Sequence, residues 1–187
     1  MATPEQFTPS PDAYAVFCGQ INEENTAKLI SNLTTATVKN QNVHLLFQSA
    51  GGRVGESVCL YSFFRALPIG LTLYNVGSIA SGGVIAYLGA KRRITASHSQ
   101  FMIHRTVTNT TGSPAMVMKG ITKSLILDDQ RTESIMRESI TLPAKESWSN
   151  LDHYDFFFSG EEAVQIGLAH EIGEFSPPPG TPVYHFF

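Results

Sequence analysis

Gly77-Ser78-Ile79-Ala80-Ser81-Gly82-Gly83-Val84 sets one hydroxyl, Ser81, among glycines and alanines where a strand pattern gives way to a helix pattern. Small neighbours let the chain turn sharply and leave a serine side chain exposed. The helix that follows begins with backbone N–H groups that have no earlier turn to bond. A nucleophile beside an oxyanion site requires both features. The same serine also suits the N-cap of that helix, a plain structural role. Choosing between the two requires a base, an acid and a second N–H donor elsewhere in the chain.

Working outward, Leu71 to Val76 is a strand run ahead of this turn, and Ser81 to Ala90 reads as a helix rich in small residues. The same pattern occurs once before. Val43 to Phe47 is a β-type run of the kind buried in parallel sheets, Gln48-Ser49-Ala50-Gly51-Gly52 is a turn, and Val54 to Leu67 is a helix. Its apolar positions are Val58, Leu60, Tyr61, Phe64 and Leu67, and Pro68 stops it. Earlier still, Tyr14 to Cys18 is a strand, and Asn22-Glu23-Glu24-Asn25 opens a helix with Ala27, Leu29, Ile30 and Leu33 as its apolar positions. Ile94 and Phe101-Met102-Ile103 mark further strands. This alternation predicts an α/β layer fold with right-handed crossovers.

Beyond a polar, Thr/Asn-rich segment at Thr106 to Gly112, Ser113 to Ile140 carries a long helical pattern with Met116, Ile121, Leu125, Ile135 and Met136. Its polar content predicts a projecting arm. A second helix is expected over Leu142 to Leu151, with Pro143 in its first turn. Ser159 and Glu162 have capping-box spacing, and Gly167 is placed to close the helix they begin. Residues 1–12 and the Pro/Gly-rich stretch from Ser176 onward read as tails.

With 187 residues the chain suits one domain, and 42% hydrophobic against 16% charged residues places it among globular chains. A formal net charge of -3 and the lack of any long Lys/Arg run argue against a nucleic-acid partner. The densest basic spot, Lys91-Arg92-Arg93, reads as a solvated strand edge. Cys18 and Cys59 stand in apolar runs and read as buried small hydrophobes, with neither disulfide nor metal-ligand spacing. The N-terminus lacks a basic segment followed by an apolar one, and no apolar run approaches the roughly 18 residues of a membrane span. A cytoplasmic protein without a membrane partner is the expectation.

Both glycine turns follow strands, and in open α/β sheets sites form beyond the carboxyl ends of strands. N–H groups from Gly51 or Gly52 and from Gly82 are therefore candidates to converge on one anion. Tight turning and close helix packing explain the same glycines without chemistry. Neither turn matches the phosphate-binding Gly-x-Gly-x-x-Gly or Gly-x-x-x-x-Gly-Lys-Ser/Thr spacings, so no nucleotide cofactor is expected. Among the six histidines His104, at the exit of a strand, is the leading base candidate. A satisfied, partly buried imidazole is its structural alternative. His98 is expected exposed in a turn, His44 opens a strand, and His170 and His185 stand in polar or loop contexts. His153 competes with His104, but its spacing from Asp152 and Asp155 is too generic to define a metal site. Asp155, just before Phe156-Phe157-Phe158, is either a plain helix-flanking charge or a buried acceptor that orients an imidazole.

Ser81, His104 and Asp155, with their neighbours, resemble the proteolytic subunit of Clp, the caseinolytic serine peptidase family, from about Ala15 to Ile172. Phe17-Cys18-Gly19-Gln20-Ile21 resembles that family's first strand with its Gly-Gln-Val or Gly-Gln-Ile ending. Gln48-Ser49-Ala50-Gly51-Gly52 resembles its Asn-Ser-Pro-Gly-Gly turn, with Ala50 in place of Pro. The Ser81 segment resembles Gly-Gln-Ala-Ala-Ser-Met-Gly, with Gly82 in place of Met, and Met102-Ile103-His104 resembles Met-Ile-His. Asp155 to Ala163 resembles Asp-Asn-Phe-x-Ser/Thr-Ala-Glu-Glu-Ala, and Ile166-Gly167-Leu168 its Tyr-Gly-Leu step.

The resemblance implies a ClpP/crotonase-like fold of repeated β-β-α layers, with the arm at 113–151 as a helical handle. It implies a serine endopeptidase in which Ser81 attacks, His104 carries the proton, Asp155 holds the imidazole, and Gly51 or Gly52 with Gly82 binds the oxyanion. No cofactor or metal is implied. Partners implied are further copies of the chain in a heptameric ring or double ring, an AAA+ unfoldase, and a peptide or unfolded protein substrate. The ring-bridging Arg that the family often carries is replaced by Tyr154. Two alternatives stand beside this: a crotonase-like acyl-CoA enzyme, which needs no triad, and a non-catalytic subunit of a Clp ring.

Overall fold

The computed structural model describes residues 12–39, 41–112 and 114–186. Except for Asp12, the expected N-terminal tail at residues 1–12 lies outside them, as do Ser113 at the start of the expected arm and Phe187 at the end of the expected C-terminal tail.

β1 (Ala13–Cys18) is followed by α1 (Glu23–Val38), whose first turn is capped by the Asn22 side chain accepting from the Asn25 N–H. The buried stripe of α1 is Thr26, Leu29, Leu33 and Ala36. Ala27 lies outside that stripe and is exposed. β2 (Val43–Gln48) alternates buried Val43, Leu45 and Phe47 with half-buried His44 and Leu46. Then come α2 (Val54–Ala66) and β3 (Leu71–Asn75), every residue of which is buried. β4 (Ser78–Ala80) is a short strand that the sequence reading folded into the turn before Ser81. α3 (Gly82–Leu88) is buried along its whole length, and β5 (Arg92–Thr95) and β6 (Gln100–Ile103) follow.

α4 (Ala115–Arg137) is the expected long helix; of its residues only Ile135 and Met136 are buried. The helix expected over Leu142–Leu151 does not form. Pro143 instead starts a turn that bonds to the Glu146 N–H, and only a 3-10 segment, Trp148–Asp152, is helical. The Thr141 N–H donates to the Ile166 carbonyl, so the chain enters this region already tied to another element. β7 (Phe156–Ser159) leads into α5 (Gly160–Gln165) through a complete Ser159–Glu162 capping box. β8 (Glu171–Ile172) follows, and β9 (Val183–His185) arises within what was expected to be a plain tail.

The main sheet runs β8-β5-β3-β2-β1-β9, with every neighbouring pair parallel. A second sheet, β4-β6-β7, pairs β4 with β6 in parallel and β6 with β7 antiparallel. An isolated bridge between Ser49 and Ile79 joins the end of β2 to β4. That bridge sets the two glycine turns side by side, and the architecture is the expected α/β class.

Two further expectations are corrected. Cys18 and Cys59 are exposed and unpaired, because each falls on the outward phase of its own element. Arg93 is buried rather than solvated. Its guanidinium donates to the carbonyls of Leu168 at 2.9 Å, Ala90 at 3.2 Å and Gly167 at 3.2 Å, which compensates a charge that burial alone would disfavour. Among the described residues no helix is long and apolar enough to cross a membrane.

Candidate active site

Ser81 sits at the junction of β4 and α3. Its N–H donates to the Met102 carbonyl in β6 at 2.8 Å, and the N–H of Ala80 donates to the Ser49 carbonyl at 2.9 Å. These bonds clamp the elbow between the second sheet and the first glycine turn. Ser81 has φ 55° and ψ -129°, the only positive φ outside glycine among the described residues. A residue with a Cβ held there costs about 1–3 kcal/mol, and such strain collects at working sites. The Ser81 side chain makes no capping bond to α3, so its hydroxyl does not serve the helix.

The hydroxyl meets His104 instead. Nε2 of His104 lies 2.7 Å from Oγ of Ser81. With the imidazole neutral and its hydrogen on Nδ1, Nε2 accepts from the serine O–H. β6 delivers the ring: Phe101 and Ile103 are buried, and the chain leaves the sheet at half-buried His104.

Asp155 is exposed and makes no hydrogen bond or ion pair among the described residues, so it is not the buried acceptor that the sequence left open. It flanks a strand rather than a helix. The last pair of β6 and β7 is Ile103 with Phe156, and continuing the antiparallel register by one step sets Asp155 across from His104. Directly opposed residues of such a pair have Cβ atoms about 4.5–5.5 Å apart and share a face.

The two glycine turns divide their roles. Gly51 donates its N–H to Oγ of Ser49 at 3.0 Å, which removes it from the candidate oxyanion donors. Gly52 pairs with Ile21 through the neighbouring groups: Ile21 N–H to the Gly51 carbonyl, and Arg53 N–H to the Ile21 carbonyl, both at 2.9 Å. That pattern turns the Gly52 N–H away from Ile21 and leaves it without a partner among the described residues. The N–H of Gly82, first in α3, has no preceding turn to bond. Gly51 must be glycine. Its φ is 91°, and a Cβ there would stand 2.7 Å from the Ser81 Cβ and 2.8 Å from the Gly82 nitrogen. At Gly82 the issue is space: a Cβ would collide with Oγ of Ser57, a fully buried serine of α2 held by its bond to the Arg53 carbonyl.

A cleft opens over Ser81 and His104, with Val54, Ile85, Ile103 and Met136 on its apolar side. The other histidines stand apart from it. His44 stacks on Tyr14 and bonds the Tyr74 hydroxyl at 2.8 Å, and His98 and His153 are exposed. Asp152, next to His153, is ion-paired with Arg105 at 2.7 Å. The sequence reading missed Ser57 and Arg105. Arg105 had one visible signal, its place next to His104; Ser57 had none, because the residue it packs against, Gly82, comes from another helix.

A family description, Clp protease, matches residues 12–176 of this chain. The ATP-dependent Clp protease proteolytic subunit 2 of Pseudomonas aeruginosa is 24% identical over 157 residues, covering 82% of this chain and 77% of that protein. The ATP-dependent Clp protease proteolytic subunit 1 of Gloeobacter violaceus is 26% identical over 168 residues, covering 87% and 84%. Among solved structures, a mutant of ClpP1 from Listeria monocytogenes superposes with a TM-score of 0.70 at 21% identity, over 89% of this chain and 92% of that one.

Proposed function

The chain belongs to the Clp protease family, and from that premise we propose that it is a serine endopeptidase acting on peptides or unfolded protein segments. The observation that carries this is the 2.7 Å contact between a strained, uncapped Ser81 and the imidazole of His104.

Ser81 Oγ attacks the scissile carbonyl while Nε2 of His104 takes its proton. The tetrahedral oxygen lies toward the N–H groups of Gly52 and Gly82. Each such donor is worth about 3–4 kcal/mol in the transition state. His104 then gives its proton to the leaving amine, and water releases the acyl group by the reverse route. Asp155 is the acid of the set. It reaches the imidazole by rotating its side chain across the one-step extension of the β6–β7 register, on substrate binding or assembly.

Rings of this chain, heptameric or stacked in pairs, and feeding by an AAA+ unfoldase belong to the same proposal. α4 supports it, since Met116, Val117, Ile126 and Leu127 are exposed on a helix with little of its own to pack against. A crotonase-like acyl-CoA enzyme would leave the imidazole against Ser81 without a purpose. A non-catalytic ring subunit is favoured by the unbonded Asp155 and by Tyr154 in place of the family's ring-bridging Arg.

A fluorophosphonate probe followed by mass spectrometry tests the proposal. Modification is expected on Ser81 and on no other serine, and the Ser81→Ala protein is expected to cleave no fluorogenic peptide. Turnover that survives in Ser81→Ala would sink it.

A further inference from the structure

Arg105 follows His104 and holds three acceptors at once. Its Nη1 donates to Oε2 of Glu133 at 2.6 Å, its Nε to Oδ1 of Asp152 at 2.7 Å, and its Nη2 to the Trp148 carbonyl at 3.3 Å. These acceptors come from two other elements, α4 and the 3-10 segment Trp148–Asp152. Glu133 is fixed in turn by Arg137, which donates to its other oxygen at 2.7 and 2.9 Å. One residue beyond Arg105, the Thr106 N–H donates to Oδ1 of Asp129 at 2.7 Å. Asp129 and Glu133 are four apart on one face of α4, so both residues after the imidazole are fastened to one helix stripe.

This network is not an ordinary surface ion pair. The Arg105 and Glu133 side chains are only 24% and 20% exposed. Burial raises the Glu133 carboxyl, but hydrogen bonds from Arg105 and Arg137 outweigh it and hold the group below the usual carboxylate range. The planar fork of arginine serves acceptors in three directions, which the single ammonium of lysine does not match. The peptide-cleavage chemistry itself has no use for a second cation beside the imidazole.

We propose that Arg105 is a positioning residue for His104, clamping the segment that carries the imidazole to α4 and to the Trp148–Asp152 segment. The clamp holds Nε2 against Ser81 within a single subunit. It also anchors the stretch from Asp152 to Asp155 beside the ring that Asp155 would orient. The position of α4 is thereby linked to the alignment of the site. This inference rests on the assignment of Ser81 and His104 as nucleophile and base.

The test compares wild type, Arg105→Gln, Arg105→Lys, Glu133→Gln and the Arg105→Gln/Glu133→Gln double variant as assembled full-length proteins. The readouts are kcat and KM for a fluorogenic peptide, the rate of Ser81 labelling by a fluorophosphonate, native mass and melting temperature. Arg105→Gln is expected to lower kcat and the labelling rate by about 10- to 100-fold, with KM within about twofold, as misplacement of a base should. Arg105→Lys should recover only part of the loss. The double variant should be no slower than Arg105→Gln alone, because both changes break one connection. An Arg105→Gln protein that folds, assembles and keeps wild-type kcat overturns the inference. If that variant does not fold, Glu133→Gln decides: a fall in kcat of about fivefold or more at constant KM supports the inference, and a smaller change overturns it. A wild type whose Ser81 takes no label sinks the peptidase proposal together with this one. A labelled wild type with an indifferent Arg105→Gln sinks the positioning role alone.

Discussion

Nε2 of His104 and Oγ of Ser81 meet at 2.7 Å although 23 residues separate them in the chain. Parallel pairing of β4 with β6 brings the two strand ends together, Ala80 beside Met102. The serine is then aimed by a backbone conformation that its own side chain disfavours. Strain and contact are two sides of one arrangement, and they can be separated by mutation.

Ser81→Gly removes the Cβ from φ 55° and is expected to stabilise the protein by about 1 kcal/mol while abolishing Ser81 labelling and peptide cleavage. In a domain of this size that gain is a rise of about 2–4 °C in melting temperature. A calorimetric scan showing a fall in melting temperature would mean that the elbow is not strained.

Gly82→Ala drives a Cβ into Oγ of Ser57 and is expected to cost about 1–3 kcal/mol with a loss of peptide turnover. Ser57→Gly should relieve most of that cost, since Ser57 is the obstructing residue. Denaturant titration of the two single variants and the double variant measures the coupling: the double variant is expected to lose at least about 0.5 kcal/mol less than the two single losses together. Simple additivity would show that the collision is absorbed elsewhere.

Asp155→Asn is expected to leave the melting temperature unchanged, because Asp155 is exposed and bonds no other described residue. In the assembled enzyme it should lower kcat by about 10²- to 10⁴-fold, the scale on which an orienting acid acts through imidazole tautomer and orientation. Equal kcat for the two proteins would remove Asp155 from the mechanism and favour a dyad.

His170 carries a pH dependence of stability. Its Nδ1 accepts the Arg93 N–H at 3.1 Å, which requires a neutral ring. Partial burial first, and the nearby Arg93 charge second, lower its pKa, with Glu171 opposing them. A group depressed in the folded state stabilises above its unfolded pKa, about 6.5 for histidine, and that contribution is lost as pH falls toward the folded value. Melting temperature should therefore decline as the pH is lowered below about 6.5, modestly because the ring is partly solvated, and His170→Gln should flatten that part of the curve. A His170→Gln profile parallel to wild type between pH 5 and 7 would contradict this.

Much of the frame was legible from local pattern. β2 reads as a buried strand because Val43 to Phe47 is a compact β-type run, and α5 announces itself through Ser159 and Glu162. Misreadings occurred where partners lie far away in the chain. The stretch from Leu142 has helical composition, but the bond of the Thr141 N–H to Ile166 and the turn at Pro143 override it. β9 is only three residues long, inside a Pro/Gly-rich stretch that reads as a tail, and it forms where β1 offers an open edge.

By itself the amino-acid sequence determined the alternation of strands and helices, the two glycine turns and the candidates Ser81, His104 and Asp155, because local spacing and small-residue chemistry are written residue by residue. Only the tertiary structure decided that Ser81 faces an imidazole rather than capping α3, and that Gly52 rather than Gly51 keeps a free N–H. The same holds for Asp155, which lies exposed one residue before the Ile103–Phe156 pair, and for Arg105, whose guanidinium bonds Glu133 of α4. Each of these depends on which groups meet across separate elements, and hydrogen-bond partnership between distant residues exists only once the sheets and helices have packed.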